Sequence, residues 1–223
     1  MGTLYIVATP IGNLEDITVR ALRVLRSVRV IAAEDTRHSL KLLNHYGISA
    51  RLMSYHDHNK ETMTGSLASV ALREDVALIT DAGTPCISDP GYEMVQAALD
   101  AGIAVEVIPG ANAITTALSA SGLPGERLRF VGFPPRKDSQ LRAFFAALAS
   151  ARETLVLYES PNRLVKTLDM MQAVVGDRQA VVTIELTKMF EEFRRGTVGE
   201  LHQFFQRNPI RGEVTILLSG VPS

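Results

Sequence analysis

The chain has 223 residues, room for one large domain or two small ones, and a formal charge of −1 from 23 Lys and Arg against 24 Asp and Glu. With 46% hydrophobic and 21% charged residues it is neither a disordered tail nor, with Cys86 as its lone cysteine, a disulfide-stapled mini-domain, and near-neutrality argues against gripping nucleic acid by bulk charge. No apolar run reaches the roughly 18 residues of a membrane helix, the N-terminus lacks a basic leader, and a single thiol fits a reducing compartment, so a cytoplasmic location is expected.

Short apolar runs alternate with amphipathic segments. Residues 4–8 read as a buried strand ending at Thr9-Pro10. Asp16 is placed to cap a helix over 17–27, with Arg20, Arg23 and Arg26 on its polar side, where Arg20 and Arg23 read as a solvated face or as phosphate contacts. A second strand is read at 28–32, then a helix with Thr36 as its cap and Gly47 as its stop. A helix at 61–73 leads into a strand at 76–80. A helix at 91–100, a strand at 104–108 and a small-residue helix at 111–120 follow. The Gly/Pro/Ser cluster at 121–125 is read as a boundary, giving domains 1–122 and 123–223. Beyond it strands are expected near 128–132, 154–158, 180–186 and 213–219, with helices near 138–149, 161–174 and 198–206 and an extra strand at 191–196. Strands separated by helices imply an α/β fold with parallel pairing and right-handed crossovers.

Open parallel sheets bind ligands outside the carboxyl ends of their strands. There the sequence carries Thr9-Pro10-Ile11-Gly12-Asn13, Glu34-Asp35-Thr36-Arg37, the Gly/Pro-rich run 81–91, and Pro109-Gly110-Ala111-Asn112. No G-x-G-x-x-G, P-loop or G-x-S-x-G motif is present. His56-Asp57-His58 alternates like a ligand pair but has no C-x-x-C or H-E-x-x-H beside it, so it is read as a polar loop and no metal is expected.

These loops, in order, are LYIVATPIGNLEDIT, IAAEDTRHSLKLLNHYGI, SYHDHN, LITDAGTPCISDPG, VIPGANAITTALSASGLP, FVGFPPRK, LYESPNRL, ELTKMFEEFRRGTVGEL and RGEVTILLSG. The series resembles the tetrapyrrole-methylase-like superfamily, and within it the ribosomal RNA small-subunit methyltransferase I family. The resemblance runs from Leu4 to Gly220. It implies two α/β domains with an S-adenosylmethionine (SAM) cleft between them, 2′-O-methylation of a cytidine in small-subunit ribosomal RNA, and a homodimer. The alternatives are a methyltransferase of the same fold acting on a tetrapyrrole or a protein, and a non-catalytic ribosome-binding module. Two departures stand out: Ala8-Thr9-Pro10 replaces the family's Pro-Thr-Pro, and a helical extension frequent after the last strand is expected to lie outside this sequence.

The resemblance assigns cofactor contacts to Pro10, Asp81, Gly83, Thr84, Ile87 and Ser88. It assigns further ones to Ala113, Ile114 and Thr115, which also suit plain helix packing, and to Tyr158, Met189, Gly212 and Thr215. A ribose hydroxyl is a poor nucleophile until its proton leaves, so a general base or a nearby cation is needed. Glu34, Asp35, Asp81, Glu185 and Lys188 lie near strand ends. Asp35 with Arg37 is the first choice for catalysis, or else a structural pair at a helix start, and Glu185 and Lys188 come next. Arg37, Lys41, Arg136, Lys137, Arg194 and Arg195 are the candidates for meeting RNA phosphates.

Overall fold

The computed structural model describes residues 2–221 and divides into two compact units, Met1–Asn112 and Ala113–Ser223. The first unit holds strands β1 (Thr3–Val7), β2 (Val30–Ala33), β3 (Arg51–Ser54), β4 (Val76–Ile79) and β5 (Ala104–Ile108) in the order β3-β2-β4-β1-β5. All pair in parallel, so every strand ends at the same edge. Between them run α1 (Val19–Ser27), α2 (Thr36–His45), α3 (Lys60–Ala71) and α4 (Tyr92–Asp100).

The central strands are apolar throughout because both sheet faces are covered. Along β4, Ala77 and Ile79 join Ala21 and Leu25 of α1 and Leu42 and Leu43 of α2 in one core. Val76 and Leu78 join Leu67 and Ala71 of α3 and Met94 and Ala98 of α4 in the other. A fully buried leucine such as Leu25 or Leu67 contributes about 1.5–3 kcal/mol relative to exposure.

Several local expectations move. Leu14–Asp16 forms a single 3-10 turn, and Thr18, not Asp16, caps α1 by accepting the Ala21 amide at 3.0 Å. Asp35, not Thr36, caps α2. Strand β3 carries no apolar signal in the sequence, because RLMS is an edge strand with an exposed Arg51 and no buried residue. Its presence puts the His56-Asp57-His58 loop at the same sheet edge as the other strand-end loops.

The second unit begins with α5 (Ala113–Ser121), ten residues before the boundary read from the Gly/Pro cluster, because that helix packs on the unit's last strand. Its strands are β6 (Leu128–Phe130), β7 (Thr154–Glu159), β8 (Gln179–Ile184), β9 (Glu192–Thr197) and β10 (Val214–Leu218). Its other helices are α6 (Asp138–Leu148), α7 (Leu164–Val175) and α8 (Val198–Arg207). The strand order is β6-β7-β10-β8-β9, and only β6 and β7 pair in parallel. This corrects the all-parallel expectation, for one reason. Each helix-linked strand pair does run in the same direction, but β8 turns directly into β9, and β10 then inserts antiparallel between β7 and β8. Leu141 and Phe145 of α6, Leu168 and Met171 of α7, and Leu201 and Phe205 of α8 build one core over that sheet. No helix among the described residues is long and apolar enough to cross a membrane.

Candidate functional site

At the carboxyl edge of the first sheet the loops are tied to one another. Thr9 and Gly83 exchange backbone hydrogen bonds at 2.8 and 3.1 Å, and the Thr9 hydroxyl donates to the Thr80 carbonyl at 3.1 Å. Gly110 lies so close to β1's exit that a Cβ there would sit 3.0 Å from the Ala8 methyl. The run 81–91 is an irregular loop with Gly83, Cys86 and Ser88 all at positive φ. Gly91, at φ 149°, leaves no space for a side chain, since an added Cβ would meet Cys86 Sγ at 2.5 Å. Left-handed backbone at non-glycine residues costs energy and persists where the surroundings hold it.

Carboxylates gather at this edge. The Asp35 amide donates to Asp81 Oδ1 at 3.1 Å, and the Asp81 amide lies 3.4 Å from Glu34 Oε2. Burial raises the Glu34 carboxyl above its ordinary range, with the Asp81 and Asp57 charges adding to the rise. Asp89 moves furthest: burial, then the charges of Glu34, Asp81 and Asp57, push it up to about 7. No single stretch of sequence signals this, because the effect needs loops from three strands brought together.

Asp35 behaves otherwise. Its carboxylate accepts the Arg37 amide at 2.8 Å and pairs with the Arg37 guanidinium at 3.2 Å, and these bonds hold it below the usual carboxylate range. The pair sits at a helix start, as the structural alternative supposed, with the Arg37 side chain 90% exposed. The His56-Asp57-His58 loop forms a turn into α3. The His56 amide donates to Asn59 Oδ1 at 2.9 Å, and Asp57 pairs with Lys60 at 3.1 Å. Among the described residues, no group of three or more His, Cys, Asp and Glu is arranged to hold a metal ion.

In the second unit, Tyr158 and Thr215 stand opposite each other on β7 and β10. Ile114 is buried in α5. Glu185, Lys188, Gly212 and Glu213 form a second knot. Lys188 Nζ lies 2.9 Å from Glu185 Oε1 and 3.0 Å from Glu213 Oε2, and the Glu213 amide donates to Glu185 Oε1 at 2.8 Å. The Lys188 bond lowers the Glu185 carboxyl, and both acids raise Lys188 against its burial. Glu185 and Thr187 take positive φ, and Met189 projects 90% exposed from the same turn. Gly212 fits here through its own φ of 92° and its missing side chain, since a Cβ would lie 2.3 Å from Glu185 Oε1. Gly212→Ala is therefore expected to cost about 1–2 kcal/mol in backbone strain alone. A calorimetric melt would measure the loss, and an unchanged profile would show that the knot yields freely.

The basic candidates divide. Arg194 pairs with Glu192 and lies 4.0 Å over the Phe204 ring, and Arg195 donates to the carbonyls of Ala120 and Ser121. Both guanidiniums have partners within the second unit, although the Arg194 side chain is partly exposed and Arg195 is exposed. Lys41, Arg136 and Lys137 are exposed.

Comparison with known proteins agrees with this architecture. The family model for tetrapyrrole (corrin/porphyrin) methylases matches residues 3–202. Among solved structures, diphthine synthase superposes with a TM-score of 0.74 at 18% identity, covering 98% of this chain and 90% of that one. Cobalt precorrin-4 methyltransferase, a cobalamin biosynthetic enzyme, gives 0.71 at 22% identity over 97% of this chain and 94% of its own. At such identities the likeness concerns the fold. Closer relatives include proteins named ribosomal RNA small subunit methyltransferase I. That of Halalkalibacterium halodurans is 51% identical over 98% of this chain and 76% of its own length, and that of Pseudomonas aeruginosa 48% over 98% and 79%. The chain is a methyltransferase that belongs to the tetrapyrrole (corrin/porphyrin) methylase family and, within it, to the ribosomal RNA small subunit methyltransferase I group.

Proposed function

We propose that this chain transfers the methyl group of SAM to the ribose 2′-oxygen of a cytidine in small-subunit ribosomal RNA, working as a homodimer in the cytoplasm. The observation that carries the reading is near-50% identity, over almost the whole chain, to proteins named for methylating that RNA.

The residues at the first sheet's edge suit a nucleoside with an amino-acid tail. The 81–91 loop brings the Thr84 backbone beside an exposed apolar side chain, Ile87, while Gly83, bonded in both directions to Thr9, fixes the loop. The buried Thr80 hydroxyl has no hydrogen-bond partner among the described residues, which is uncommon unless a bound group completes it. Pro10, Asp81, Gly83, Thr84, Ile87 and Ser88 would hold the cofactor there. Ala113, Ile114, Thr115, Tyr158, Met189, Gly212 and Thr215 are candidates in the second unit. When bound, SAM supplies a methyl group already activated on a sulfonium.

The protein's part is to orient the ribose and accept its proton. Asp89, poised at about 7, is the carboxylate best matched to that task near neutral pH. Asp35 is already committed to Arg37 and the α2 cap.

Transfer of tritiated methyl from SAM to isolated small subunits, mature ribosomal RNA and free protein tests the reading. Label should enter RNA and protect one linkage from alkaline cleavage, because a methylated 2′-oxygen cannot attack its phosphate. Label confined to protein, or none in any substrate, would overturn it.

A further inference from the structure

The loop after β6 presents an aromatic ring and two unspent cations on an unusually well-anchored backbone. Phe133 is 58% exposed. Its ring meets Tyr158 at 5.5 Å and 59°, and Tyr158 is edge-packed on Phe130 at 4.9 Å. Tyr158 donates its amide to the Gly132 carbonyl at 3.1 Å, so the loop enters in register with β7. Pro134 and Pro135 restrict the chain beyond it, and Arg163 Nη2 donates to both of their carbonyls, at 2.9 and 2.8 Å. Arg163 is in turn anchored by the fully buried Glu159 carboxylate, 3.5 Å from Nη1.

Directly after this clamp come Arg136 and Lys137. Both are exposed, and neither side chain has a hydrogen-bond or ion-pair partner among the described residues. The adjacent acid, Asp138, is neutralised by Lys166. A rigid ring with free cations three and four residues on matches the pattern by which proteins hold single-stranded nucleic acid: bases stack on the aromatic face and phosphates meet the cations. Four residues span at most about 14 Å, so adjacent nucleotides can reach both.

We propose that Phe133 stacks on a nucleobase of the single-stranded RNA substrate while Arg136 and Lys137 hold the flanking phosphates, with Glu159 and Arg163 fixing the loop. This rests on the RNA methyl-transfer reading and adds the surface that orients the RNA. It also accounts for an RNA partner on a chain of net charge −1, because cations clustered beside an aromatic ring act locally whatever the charge of the whole chain.

The test uses the full chain, with isolated small subunits as substrate. Phe133→Ala should raise KM about tenfold, within the 5- to 150-fold range that one lost stack implies, and Phe133→Trp should restore it. Replacing Arg136 and Lys137 together by Ala should lower the slope of log KM against log salt by about 1.4, for two single-strand phosphate contacts. Calorimetric SAM uptake should be unchanged in every variant, which also shows that each is folded. A wild-type KM in Phe133→Ala overturns the proposal. So does lost SAM uptake in that variant, which would make the ring a cofactor contact. If the unmodified chain transfers no methyl to subunits, the functional reading has failed and this proposal falls with it; normal transfer with an indifferent Phe133→Ala removes the stacking proposal alone.

Discussion

Asp89→Asn is expected to lower methyl transfer by about 10²- to 10⁴-fold while leaving SAM uptake unchanged, the range for losing a positioned general base. The reason lies in the charges around it. A carboxylate in water near 4 is a weak acceptor for a ribose proton, but burial and the neighbouring Glu34, Asp81 and Asp57 bring Asp89 to about 7. Transfer by the unmodified chain should therefore rise as pH passes through about 7, and Asp89→Asn should lose that rise. Stability should move the opposite way. The carboxyl's folded value lies above its unfolded one, so the protonated form favours the fold. Its contribution is full below the ordinary carboxylate range near 4 and is lost as pH climbs through about 7. Asparagine never ionises, so Asp89→Asn should melt higher than the parent at pH 8, with the gap closing toward pH 4. Wild-type turnover in the variant would return the search to Asp35, Glu185 and Lys188. In contrast, Asp35→Asn keeps a residue suited to capping α2 and removes only the bond to an exposed Arg37, so a small effect on turnover is expected.

The difference between Asp35 and Asp89 also marks what a linear reading can reach. Buried runs such as VALI in β4 and VTILL in β10 announce themselves, because a strand covered on both faces must be apolar throughout. Loop chemistry at their ends follows, since Gly, Pro, Asp and Thr cluster where helices begin. β3 offers no such signal: RLMS is half exposed, and its neighbour β2 supplies the context that makes it a strand. Strand order is equally silent, so the insertion of β10 between β7 and β8 had no precursor in periodicity. Asp35 drew attention through its Arg37 neighbour, two residues away, and that proximity is what ties it up. Asp89 depends on carboxylates contributed by loops far along the chain, as Glu34 and Asp81 meet across 47 positions. Spatial electrostatics of that kind enters only with the fold.

Arg163→Ala is expected to be among the most damaging single changes outside the sheet cores, costing about 3–5 kcal/mol. Glu159 is wholly buried; one oxygen accepts the Ser160 amide at 2.7 Å, the other the Thr167 hydroxyl at 2.5 Å, and Arg163 supplies the positive charge. Removing that charge leaves an ion in the interior with hydrogen bonds but no counter-ion, and it also releases the Pro134 and Pro135 carbonyls. Glu159→Ala should cost less, because the Arg163 side chain is 23% exposed and its guanidinium can turn to water. The comparison that isolates the cause is the pair Glu159→Gln with Arg163→Ala. Glutamine keeps an acceptor and the shape but carries no charge, so the double variant should recover most of the stability that Arg163→Ala loses. Scanning calorimetry should place the loss in the transition of the second unit, where both residues lie. If the double variant melts no higher than Arg163→Ala, the damage comes from the lost loop anchors and not from the stranded carboxylate. In that case the 131–137 loop, and with it the Phe133 platform, is the element whose order Arg163 controls.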